Sequence, residues 1–205
     1  MKRQTLAFAL AAALGAFPLL AAEKSAAKTK VVFEDPAGDI TPDEGDAHPV
    51  DVVKVELSSD GKFILVDVTL TEVPQPKSIF QALVLGVAFD SDNNVKTGGA
   101  GFGGMYGNVP GIDFESEILA SVEDGGPSKS AAASVIGVDA KGNQSSVLYS
   151  SDAPVMLAKG KVYSGKIAYE SLGVKPGQTI RVIARELTDR GEKSGMFPDA
   201  LLTLQ

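Results

Sequence analysis

VDVVKVELSSDGKFILVDVTLTEV, residues 50–73, decides the fold. Side chains of an extended chain alternate between two faces, so Val53, Val55 and Leu57 share one face and Ile64, Val66, Val68 and Leu70 share a face of the next strand. Asp60 and Gly61 between them tolerate positive φ, which a tight hairpin turn requires. The stretch predicts an antiparallel hairpin with one apolar face.

The same period of two continues in both directions, and the i, i+3, i+4, i+7 pattern of an amphipathic helix is hard to find. Order is expected to begin at VVFE, residues 31–34. IFQALVLGVAF, residues 79–89, is a continuous apolar run and predicts a central strand covered on both sides. Further strands are expected at 112–122, 130–139, 145–150, 161–169, 178–187 and 200–204, with turns at Asp124-Gly125-Gly126-Pro127, Lys141-Gly142-Asn143, Lys159-Gly160 and Lys175-Pro176-Gly177. Short strands at this spacing imply an all-β fold: an antiparallel β-sandwich, immunoglobulin-like or jelly-roll-like, or a partly closed barrel. One glycine-rich stretch, KTGGAGFGGMYGNVPG (96–111), is read as a long loop.

Residues 1–22 join Lys2 and Arg3 to an apolar stretch with a small-residue end, the anatomy of a secretory signal peptide. Residues 23–30 read as a flexible leader and 31–205 as a single domain. Export to the periplasm or the medium is expected. Loss of Lys2 and Arg3 would take the formal charge from −7 to −9, a balance that argues against nucleic acid and anionic membrane surfaces as partners. The apolar stretch is too short to span a bilayer and nothing later matches it, so no membrane insertion is expected. With no cysteine, stability must come from the core and from any bound metal.

FDSDNNVKTGG, residues 89–99, sets Asp90, Asp92 and Asn94 at alternate positions at the end of the apolar run. Calcium takes six to eight oxygen ligands, and alternate acidic or amide side chains on a tight loop can point several inward. The sixth and twelfth positions counted from Asp90 are Val95 and Gly101, so this is not an EF-hand. Lys96 would add its carbonyl oxygen. In GIDFESEI (111–118), Asp113 and Glu115 fall on the polar face of the following strand, and a hairpin closing the glycine-rich loop would bring one of them to the site. Ca2+ is the expected ion, relieving repulsion among crowded carboxylates. The plainer reading is a turn, since Asp, Asn and Gly gather there for backbone reasons alone. Asp35 and Asp39 in DPAGD form a second, weaker acidic set.

Taken together, DPAGD, the 50–70 hairpin, FDSDNNVKTGG, GIDFESEI and YESLGV (169–174) are similar to the DOMON-like superfamily, which includes family-nine carbohydrate-binding modules and the C-terminal module of glucodextranase. The resemblance spans most of residues 33–204. It implies a β-sandwich, often with structural calcium, that binds sugar or haem or serves exported proteins as an accessory module. Sugar recognition there uses flat aromatic platforms; this chain has no tryptophan, which leaves Phe102, Met105 and Tyr106 of the glycine-rich loop as ligand-binding candidates. Haem relatives use methionine with histidine or lysine, for which His48, Met105, Met156 and Met196 are the available residues; Met156 reads as core.

Catalysis finds no support. One histidine and no cysteine cannot build a zinc site of nitrogen and sulfur ligands, and no Gly-x-Ser-x-Gly elbow accompanies His48. Arg181 and Arg185 alternate with Val182 and Ala184, and both are expected to face outward. Asp199 either closes the last turn or reaches the DPAGD loop. The reading is an exported, non-catalytic binding or accessory module stabilised by Ca2+, with a glycan or another envelope protein as partner; a purely structural protein and a haem carrier are its alternatives.

Overall fold

The computed structural model describes residues 28–38, 51–72, 84–101, 109–120, 130–148, 155–186 and 197–205. These form a β-sandwich of eleven strands: β1 Lys30–Glu34, β2 Val52–Ser59, β3 Phe63–Leu70, β4 Val84–Asp90, β5 Phe114–Ala120, β6 Ser130–Val138, β7 Gln144–Leu148, β8 Val155–Lys159, β9 Val162–Ala168, β10 Thr179–Glu186 and β11 Ala200–Thr203. Every strand pair is antiparallel, in the order β1-β2-β3-β9-β8-β6-β5-β4-β10-β11, with β7 beside β6. The two halves of this path pack face to face over one core that draws Val55, Leu57, Ile64, Val66, Val68, Tyr163 and Ile167 from one side and Leu85, Val87, Phe89, Ile118, Ile180 and Val182 from the other. At the open side, Lys28 pairs in parallel with Leu202 through Lys28 N–H to Leu201 O at 3.0 Å and Thr203 N–H to Lys28 O at 2.7 Å. Pairing therefore starts inside the stretch read as leader.

The 50–73 hairpin forms as expected, with Ser59 opposite Ile64. Gly61 takes φ 91°, and the Asp60 carboxylate accepts the N–H groups of Lys62 at 3.0 Å and Phe63 at 2.8 Å. One detail of the pattern differs. A bulge between Val52 and Lys54 interrupts the alternation, so Val52 is buried with Val55 and Leu57 while Val53 is only half-buried. β8 was not expected, because VMLAK is too short and irregular to announce a strand by period.

A second turn, at β6–β7, is built like the first: Asp139 accepts N–H groups from Lys141 and Asn143, both at 2.8 Å, and the Asn143 amide at 2.8 Å. Bonds to the Asn143 side chain and backbone hold the Asp139 carboxyl below the usual aspartate range, and those from Phe63 and Lys62 do the same for Asp60. A depressed folded-state pKa contributes stability above the unfolded value, lost as pH falls through the folded one. Acid unfolding of Asp60→Asn, Asp139→Asn should therefore show a shallower loss of stability below the normal aspartate range than the parent. An unchanged acid limb, read by circular dichroism, would contradict this.

β4 is covered on both sides, as its unbroken apolar sequence predicts. Leu85, Val87 and Phe89 enter the main core. Ala88, on the opposite face, joins Val109, Ile112, Val138 and Ile183 in a smaller buried cluster. That cover comes from the two ends of the glycine-rich stretch, which return across the sheet and bond to each other: Gly99 N–H to Ile112 O at 2.8 Å, Ile112 N–H to Gly99 O at 3.1 Å, and Gly101 N–H to Val109 O at 2.9 Å.

Candidate metal centre

Asp90 is the last residue of β4 and lies opposite Arg181 of β10. The chain then turns at once: Asn93 takes a left-handed φ of 53°, a conformation that asparagine tolerates better than most residues. The Asn94 N–H points back between two carboxylates, at 2.9 Å from Asp90 Oδ1 and 3.0 Å from Asp92 Oδ1. Thr97 Oγ1 lies 2.9 Å from both oxygens of Asp92. Asp113 arrives just before β5. Its N–H donates to Phe89 O at 3.0 Å and its O accepts Val138 N–H at 2.8 Å, and its Oδ2 accepts the N–H and hydroxyl of Ser91 at 2.8 and 2.7 Å.

One carboxylate oxygen from each of Asp90, Asp92 and Asp113 lies within 4.8 Å of the others. Asp90 is fully buried, Asp113 half-buried and Asp92 exposed. Hard oxygen donors at this separation suit calcium. Burial foremost, and Asp92 beside it, push the Asp90 carboxyl above its ordinary range, against the lowering influence of the Asn94 N–H and of Arg181. Ionised Asp90 thus works against the fold, and that penalty grows as pH rises through its folded value. A cation among the three carboxylates would reverse it.

Asn94 and Glu115 have further contacts. Asn94 Oδ1 accepts the Lys96 N–H at 3.2 Å, the self-bonded turn that asparagine favours. Glu115 sits opposite Ala88, is buried, and accepts a hydrogen bond from Gln144 Nε2 at 3.3 Å; the structure does not bring it into the group of three. Phe102, Met105 and Tyr106 lie outside the described residues, as do His48 and Met196.

Arg181 and Arg185 point away from the main core, as their alternation predicts, yet they are buried there, at only 9% and 3% exposed. For Arg181 the reason is the returning 109–112 segment, which covers its part of that face. Its Nε and Nη2 each lie 3.1 Å from Asp90 Oδ2, its Nη2 also donates to the Pro110 carbonyl, and its Nη1 lies 3.5 Å from Asp199. Asp199, just before β11, therefore reaches Arg181. Periodicity showed where Arg181 points; the glycines at 98, 99, 101 and 111, which permit close backbone approach, were the signal that something would cover it.

No family model, curated protein or solved structure matches this chain.

Proposed function

We propose that the protein is an exported, non-catalytic β-sandwich module, periplasmic or secreted, whose acidic loop captures Ca2+ and so fixes the base of the glycine-rich loop. The convergence of Asp90, Asp92 and Asp113 oxygens within 4.8 Å carries this reading. Asp92 and Asp113 would ligate the ion with Asp90 beneath them, and Asn94, Lys96 and Glu115 would serve through the turn and its support. Held at its base, the loop would present Phe102, Met105 and Tyr106 to a carbohydrate or to another envelope protein. The DOMON-like resemblance agrees with such a role.

Extracellular calcium modules bind at roughly 0.1–1 mM. Calcium at about ten to a hundred times Kd stabilises by ~1.4–2.7 kcal/mol, so the melting temperature should rise by about 3–10 °C over the value in chelator. Scanning calorimetry reads this directly. Identical melting with calcium and with chelator would remove the metal from the account.

Arg181 favours a second reading, in which its guanidinium is the only counter-charge and the module is structural or partner-binding with no ion. The two readings differ in what happens when Arg181 is replaced.

A further inference from the structure

We infer that a second divalent-cation site lies beneath the turn 35–38, with Asp51 as its buried ligand. Asp51 stands just before β2 and is 5% exposed. Its Oδ2 accepts the Gly38 N–H at 2.5 Å, while its Oδ1 is buried and accepts no hydrogen bond. No lysine or arginine among the described residues forms an ion pair with it. Lys161, close by, donates to the Thr71 carbonyl. The Asp51 carbonyl is occupied by the Thr71 N–H at 2.9 Å.

A second carboxylate shares the place. Asp35 donates its N–H to Val53 O at 3.1 Å, which pairs it with the chain two residues from Asp51, and Gly38 of the same turn bonds the Asp51 carboxylate; the Asp35 Oδ2 is buried too. The connecting sequence 39–50 carries Asp39, Asp43, Glu44 and Asp46 against His48 as its one basic side chain. A carboxylate oxygen held from water without a donor is unfavourable, and an ordered water or an ion is what relieves such a group. With Asp35 on the same turn and no described lysine or arginine paired to Asp51, a hard divalent ion satisfies the charge as well as the lone pair of Asp51.

Calcium bound by the full chain, counted by equilibrium dialysis, tests this independently of the acidic loop. The Asp92→Asn, Asp113→Asn double variant should retain one equivalent, and adding Asp51→Asn should abolish it. Asp35→Asn, at a less buried position, should weaken that equivalent at least tenfold and stands in if Asp51→Asn does not fold. Binding that survives Asp51→Asn, or a double variant that binds none, overturns the inference. A double variant that binds as much as the parent would instead sink the acidic-loop reading, leaving this one to the Asp51 result.

Discussion

Replacing Arg181 with methionine should destabilise the protein by about 3–5 kcal/mol in chelator, because it strands a fully buried carboxylate whose charge no other described residue matches. Asp90 Oδ2 faces the Nε and Nη2 of Arg181 at 3.1 Å, and among the described residues Asp92, Asp113 and the Asn94 N–H also approach that carboxylate. Methionine fills much of the arginine stem, so packing loss is small beside the electrostatic one. The calcium reading adds a sharper expectation. With the guanidinium gone, the cluster is more negative, so calcium should bind the variant more tightly and raise its melting temperature more than it raises that of the parent. An equal or absent calcium response in Arg181→Met, measured by scanning calorimetry, would favour the guanidinium as sole counter-charge.

The second large effect is expected at Gly98. It takes φ 65°, and a Cβ there would lie 2.4 Å from the Ile112 carbonyl oxygen, 2.6 Å from its carbon and 2.9 Å from Asp113 Oδ1. Two of those three atoms are backbone and cannot swing aside. Gly98→Ala should therefore cost more than the ~1–2 kcal/mol of left-handed strain alone, because the two ends of the glycine-rich loop must separate and carry Asp113 away from Asp90. Gly160 is the control: its φ is 63° and nothing lies within 4 Å of the added carbon, so Gly160→Ala should lose only the strain. Equal chemical-denaturation midpoints for the two variants would contradict the close approach at Gly98.

Local chemistry was legible before any coordinates; long-range pairing was not. Asp60-Gly61 announced its hairpin because turn residues and apolar periodicity agree there, and the apolar run ending at Phe89 announced a strand buried on both faces. Val53 was misplaced because a bulge shifts the period by one residue, which no pattern of types reveals. β7 and β8 both lie on the same side of β6, at Gln144–Leu148 and Val155–Lys159, an arrangement set by contacts distant in sequence. At the site, the alternation of Asp90 and Asp92 was readable, and Asp113 followed from the polar face of its strand. Glu115 follows the same alternation but lies two residues farther along the chain, opposite Ala88. The burial of Arg181 and its pairing with Asp90 are not legible in the pattern, because pointing away from a core and being exposed are different things once a loop returns over the sheet.

An anomalous-difference map from crystals grown in calcium tests the central claim most directly. The account predicts a peak bounded by the carboxylates of Asp92 and Asp113, with Asp90 within reach. A map with no peak there, and Arg181 still bonded to Asp90, would contradict it.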